Sequence, residues 1–169
     1  MINYYKFFGI PETYLIDQER LRKLYYQKSR EYHPDFYTLE AEKEQEEILR
    51  LSTTNNEAYK TLKSDLKRLR HLLEIKGAIK EDEKEKLSQS FLMEMMDLNE
   101  SIMELQFAEQ NNTKVNELSQ HVDEIIQHLD EEINKVGLSD LNESDLSGLK
   151  ELYFRKKYLN RLKDNISKL

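Results

Sequence analysis

The chain has 169 residues, room for one or two small domains, and its four glycines, two prolines and 35% charged content suit helices better than a β-sandwich. A formal net charge of −7 argues against a general nucleic-acid binder, whose phosphate contacts need a basic surface. The absence of cysteine excludes disulfides, thiolate metal sites and cysteine nucleophiles.

The opening "MINYYKFFGIPETY" lacks a basic stretch followed by an apolar core, so no secretory signal is expected. No apolar run is long enough to span a bilayer, so no membrane contact is expected either. Residues 3–10 are aromatic-rich and end at Gly9 and Pro11, which predicts a short helix or an extended lead-in. Asp17 is placed to cap the next helix, although Arg20 stands where a capping box would carry glutamate. Leu21, Leu24, Tyr25, Lys28 and Tyr32 then follow helical spacing. Pro34 disfavours the helical conformation at His33 and ends the run. A second run over 38–64 places Ala41, Ile48, Leu51, Asn55, Ala58 and Leu62 on one face. A third, over 65–76, carries Leu66, Leu69, Leu72 and Leu73 and stops at Gly77, a suitable left-handed terminator.

Residues 77–86 are charged and lack a large apolar stripe, which marks a linker or domain boundary. Beyond it, Phe91, Met95, Leu98, Ile102 and Leu105 alternate by fours and threes along a helix expected over 88–108. Val115, Leu118, Val122, Ile125 and Leu129 repeat the pattern. "NKVGLSDLNESDLSG" interrupts it, and a last helix carries Leu149, Leu152, Leu159, Leu162, Ile166 and Leu169. The fold class is therefore all-α, in two domains over 1–76 and 87–169.

A helix rich in Tyr, Arg and Lys, then His33-Pro34-Asp35, then a helix containing "NNEAYKTL", resembles a J-domain over residues 2–76. That resemblance implies stimulation of ATP hydrolysis by a DnaK-type chaperone through the tripeptide. The physics of the loop agrees: proline fixes φ and removes a donor, so the two polar side chains project from a stiff corner. Arg22, Lys23, Lys28 and Arg30, with Tyr25 among them, and further along Lys67, Arg68 and Arg70, put a local basic face on an acidic molecule. This pattern suits a specific acidic partner. Tyr26, Gln27 and Phe36 stand where basic residues are common in J-domains, which hints at a dedicated partner. Read without its flanks, the tripeptide is equally a simple turn.

The second half, most specifically "FLMEMMDLNE", is similar to the C-terminal domain of the HscB family of J-type co-chaperones, as are the opening "YYKFFGIPETYLID" and "LKRLRHLLEIKG". Membership implies a C-terminal three-helix client-binding domain, a specialised HscA-type ATPase chaperone as one partner, and the iron–sulfur cluster scaffold IscU as the other. A different client for the same J-domain stays open. At about 100° per residue, Leu92, Met96 and Met103 fall 100–140° away from the Phe91–Leu105 seam, with Met93 and Glu100 roughly opposite it. This second, methionine-rich stripe suits an adaptable binding surface, or else one wide core face. The resemblance assigns scaffold binding to Leu92, Met93, Met96, Asp97, Glu100 and Phe154, with Asp97 where glutamate is more familiar. Phe154 is expected off the buried face of the last helix, beside this patch.

His121 and His128 lie a heptad apart, too far along one helix to share a metal ion, so no metal and no cofactor are expected. The chain carries no Gly-rich phosphate loop and no nucleophile–base–orienter set. A monomeric, non-enzymatic regulator of a partner's ATPase is the expectation, in a bacterial cytoplasm rather than a mitochondrial matrix. The sequons "NNT", "NES" and "NIS" are then without consequence.

Overall fold

The computed structural model describes residues 1–80, 83, 87–107, 112–136 and 141–169. Every regular element among these residues is helical, and the chain divides into two compact units, Met1–Ile75 and Lys76–Leu169.

In the first unit α1 (Tyr4–Phe8) is capped by the Asn3 side chain, which accepts the Lys6 N–H at 3.1 Å. It closes at Gly9, whose φ of 64° is the left-handed conformation only glycine adopts without strain. Asp17 caps α2 (Gln18–Glu31) through a 2.9 Å bond from the Arg20 N–H, as the sequence implies. α3 (Glu42–Lys63) runs antiparallel to α2, with Tyr25 stacked on Tyr59 at 4.2 Å and the Asn55 amide donating to Ser29 Oγ at 3.0 Å. Asn55 is buried on the same face as Ile48, Ala58 and Leu62, and satisfies the Tyr25 carbonyl as well. α4 (Asp65–Ile75) packs its Leu69, Leu72 and Leu73 into this core with Tyr5, Phe8, Tyr14 and Leu21. Gly77, with φ of 73°, follows it.

Two polar residues on α4 are buried rather than presented to solvent. Arg68, expected on the basic face, donates to the Tyr14 carbonyl, the Leu62 carbonyl and the Asp65 carboxylate at 2.7, 2.7 and 2.5 Å. Its guanidinium also lies 4.9 Å from the Tyr14 ring centroid. Buried in this way, it is a structural crosslink, because its planar fork can serve several acceptors at once. His71 accepts the Tyr4 N–H on Nε2 at 3.1 Å and stacks with the Tyr4 and Tyr5 rings. It ties α1 to α4.

In the second unit α7 (Asn112–Val136) packs most extensively against α8 (Glu143–Ile166), which begins in a complete capping box between Asn142 and Asp145. The single helix expected over 88–108 is instead two, α5 (Gln89–Glu94) and α6 (Met96–Phe107), separated by a turn at Met95. Phe91, Met95, Leu98 and Ile102 from this bent pair form one core with Val122, Leu159, Leu162 and Ile166. Leu118, Ile125 and Tyr158 pack against its edge. A buried Lys156 is paired with Asp130.

Within the stretch expected as a linker, residues 81, 82 and 84–86 lie outside the described residues. Of its other members Ile79 is buried, and Glu83 pairs with Lys150 of α8. Residues 137–140, part of the expected break before the last helix, also lie outside the described residues.

Candidate functional site

Two surfaces carry the residues singled out by the sequence. The first is the loop between α2 and α3. Tyr32 ends α2, His33 is extended (φ −76°, ψ 121°), and Pro34 opens a 3₁₀ turn, Pro34–Tyr37. Proline suits this first helical position because its missing N–H would have no partner there. His33 Nδ1 accepts the Asp35 N–H at 3.3 Å and lies 3.7 Å from Asp35 Oδ2, while the Phe36 N–H donates to the His33 carbonyl at 3.1 Å.

The turn is tied down on both sides. The Tyr37 hydroxyl donates to the Glu31 carbonyl at 2.8 Å, and the Gln45 amide donates to the Thr38 and Glu40 carbonyls at 3.3 and 2.9 Å. The Asp35 carboxylate, 82% exposed, and Phe36 are left facing solvent. Neither Tyr37 nor Gln45 drew notice in the sequence. Their partners are backbone carbonyls, which no residue pattern reveals.

The structure divides the other residues assigned to this surface. Arg22, Lys23 and Arg30 are exposed, and Arg22, Tyr26 and Arg30 follow at fours, forming one row that leads to the loop. The Arg22 guanidinium sits 5.7 Å from the centre of the Tyr26 ring. Tyr25 and Lys28 are half-buried and engaged within the unit. The Tyr25 hydroxyl donates to Asn56 at 3.0 Å. The Lys28 ammonium lies over the Phe7 and Tyr32 rings and donates to the Tyr32 hydroxyl at 3.3 Å. Both therefore have packing work that the arginines of the row do not.

The second surface is the outer face of α5 and α6. Leu92, Met93 and Met96 are 43%, 62% and 64% exposed, and Met103, Asp97 and Glu100 are exposed beside them. The seam residue Met95, between Met93 and Met96 in sequence, is buried. So the stripe is not one wide core face. Apolar side chains presented together to water in this way mark an interaction surface.

Phe154 does not belong to it. At 3% exposure it is core, with its ring 5.2 Å from that of Tyr153. The expectation that it joins the patch fails because the buried stripe of α8 turns around the helix, from Leu149, Tyr153 and Phe154 at one end to Leu159, Leu162 and Ile166 at the other. A wheel read at one fixed phase misses such a turn.

The bend at Met95 shapes this face. The helical bonds Met95 N–H to Phe91 carbonyl (3.1 Å) and Asn99 N–H to Met95 carbonyl (3.0 Å) survive on either side. The Asn99 side-chain amide adds a second bond to the Met95 carbonyl at 2.6 Å. Among the described residues no cluster of three or more His, Asp or Glu side chains is placed to hold a metal ion.

Comparison with known proteins finds similarity along both units of the chain. The profile described as the HSCB C-terminal oligomerisation domain matches residues 87–167. The co-chaperone protein HscB of Proteus mirabilis is 31% identical over 106 residues, which span 62% of this chain and 61% of that relative. The HscB homologue of Psychromonas ingrahamii is 29% identical over 90% of each chain. Among solved structures, human co-chaperone protein HscB superposes with a TM-score of 0.82 at 26% identity, covering 99% of this chain and 81% of its own. The similarity to HscB co-chaperones runs through the His-Pro-Asp hairpin as well as the helical C-terminal unit, and residues 87–167 match the C-terminal domain of that family.

Proposed function

We propose that this protein is a two-handed adaptor that delivers the iron–sulfur cluster scaffold IscU to a DnaK/HscA-type chaperone and stimulates that chaperone's ATPase. In this reading residues 1–76 act as the J-domain, 77–86 as the linker and 87–169 as the client-binding domain. The observation that carries it is the loop at His33-Pro34-Asp35, braced from behind by Tyr37 and Gln45 while Asp35 projects into solvent. A pre-ordered loop loses little entropy on docking. The arginine row on α2 offers charge to an acidic partner surface and speeds encounter.

The second hand is the Leu92, Met93 and Met96 face with Asp97 and Glu100 at its border. Holding the client there while the loop engages the chaperone raises the client's effective concentration at the chaperone. The hydrolytic groups belong to the partner, so this chain's residues act on the rate of hydrolysis only through contact. The setting in this reading is a bacterial cytoplasm. No helix among the described residues is long and apolar enough to cross a membrane.

Single-turnover ATP hydrolysis by a purified HscA-type chaperone, with this protein and IscU added separately and together, tests the reading. Synergy between the two additions is expected. Stimulation by this protein with no added effect of IscU would keep the J-domain role and assign another client.

The description of the matched C-terminal profile as an oligomerisation domain favours a second use of the methionine face, self-association. Sedimentation over a concentration series separates the two: a monomer at all concentrations leaves the face to the client.

A further inference from the structure

The chain has no cysteine and no tryptophan, so its five methionines are its only sulfur and its most readily oxidised side chains. Their placement is uneven. Met93, Met96 and Met103 are 62%, 64% and 59% exposed on the outer face of α5 and α6, with Met96 and Met103 two turns apart on one side of α6. Met95 is 4% exposed, packed in the core with Phe91, Leu98 and Ile102. Met1, also exposed, lies in the other unit. Three of the sulfurs thus share one surface, and the one whose oxidation would put a polar group into the core is shielded.

We propose that Met93, Met96 and Met103 form a hydroperoxide-sensitive modification site whose oxidation releases the client and leaves the fold intact. The sulfur lone pair attacks the O–H oxygen of the hydroperoxide, and the O–O bond breaks as the S–O bond forms. The proton of the transferred oxygen passes to the departing one, which leaves as water or an alcohol. Each sulfur loses two electrons and the peroxide gains them. Glu94, Asp97 and Glu100, exposed alongside, disfavour an anionic oxidant, whereas a neutral hydroperoxide meets no such field. The thioether is apolar and deformable; the sulfoxide is a polar acceptor. An interface closing over it must strip water from that oxygen, and the neighbouring carboxylates, which have no hydrogen to donate at neutral pH, cannot replace those bonds. A thiol-dependent sulfoxide reductase reverses the step, two thiols giving a disulfide and water as the oxygen is removed. That the surface switched in this way is the scaffold's rests on the function proposed above.

The test uses the full chain, treated with hydrogen peroxide until about one methionine per molecule is oxidised and then passed over immobilised IscU. Peptide mapping by mass spectrometry locates the sulfoxides in the retained and unretained fractions. Sulfoxides of Met93, Met96 and Met103 are expected to be depleted at least about tenfold from the retained fraction, and that of Met1 to be shared equally. Met95 should oxidise at least about tenfold more slowly than these three. Helix content and melting temperature should not change. Incubating the unretained fraction with a sulfoxide reductase and dithiothreitol should restore retention. A chain with Met93→Leu, Met96→Leu and Met103→Leu, compared only with itself, should show one affinity before and after peroxide. If that variant does not bind, the fractions of the natural chain decide alone.

Equal sharing of the three sulfoxides between fractions, a Met95 as reactive as its neighbours, a fall in melting temperature that tracks the lost retention, or a loss the reductase does not repair would each overturn the proposal. So would loss of affinity on oxidising the leucine variant, which would place the sensitive group elsewhere. No retention of the untreated chain would overturn the client reading and the switch with it. Equal retention of untreated and oxidised chain would overturn the switch alone.

Discussion

Asn99 on α6 donates its side-chain amide to the Tyr158 hydroxyl on α8 at 2.8 Å, and with its other hydrogen it reaches the Met95 carbonyl at the bend between α5 and α6. One side chain therefore fixes both the local bend and its position against α8. Met93 and Met96 flank that bend, so their relative placement depends on it. Tyr158→Phe leaves one amide hydrogen without its partner and should destabilise the protein by about 1 kcal/mol. Asn99→Ala loses both bonds and should cost more. Urea unfolding of the two single variants and the double variant forms a cycle. A coupling near zero would show that the bond is not made in solution.

The exposed and buried methionines make a second test. Met93→Ala with Met96→Ala should change stability by less than about 0.5 kcal/mol each, as surface changes do, while removing client binding. Met95→Ala and Phe154→Ala delete buried side chains and should cost about 2–5 kcal/mol each. Unfolding curves alongside scaffold-binding titrations distinguish the groups. A large stability loss in the Met93 and Met96 variant would make the face core. A soluble, stable Phe154→Ala that had lost only binding would return Phe154 to the surface.

The elements that periodicity resolves are those whose neighbours stay the same along their length. The seam of Phe91, Leu98 and Ile102 faces one shared core of α7 and α8 residues, the facing sides of α2 and α3 pair with each other, and both were legible in the sequence. So was the loop, because proline acts on the backbone next to it. The bend at Met95 was not. It contains no proline or glycine, and its side-chain anchor, Tyr158, is 59 residues from Asn99. Phe154 was missed because α8 changes its buried side along its length. Arg68 looks like a member of a basic helix face until the Tyr14 and Leu62 carbonyls are brought to it, and His71 drew no notice, because its partner is the Tyr4 backbone N–H. Of the candidate sites, the sequence located both surfaces but did not separate the braced residues, Tyr25 and Lys28, from the exposed row.

Asp35→Asn isolates the loop chemistry. The residue is exposed and its backbone N–H, not its carboxylate, makes the bond to His33 Nδ1. The change should leave melting temperature and helix content as they are. Chaperone ATPase stimulation should fall to the unstimulated rate, while scaffold binding at the other unit is retained. Retained stimulation would reduce the tripeptide to a turn and leave the arginine row as the only basis for chaperone contact.

His71 gives the first unit a dependence on pH. Burial against Tyr4 and Tyr5 holds its imidazole below the usual value of 6.5; Glu74 and Glu12 pull the other way and are outweighed. The neutral ring is the one the structure uses, because Nε2 must be unprotonated to accept the Tyr4 N–H. As pH falls below about 6.5, the unfolded chain takes up this proton before the folded one does. The stabilising contribution is thus fully present above that value and is lost as pH drops towards the folded pKa. One proton can change stability by at most about 1.4 kcal/mol per pH unit. His71→Gln retains an acceptor and removes the titration. Urea unfolding at about pH 7.5 and about pH 5 should therefore show the natural chain's advantage over this variant shrinking on acidification. An advantage that stays constant, or grows, would mean that His71 is protonated in the folded state and that the Tyr4 bond is not what anchors α1.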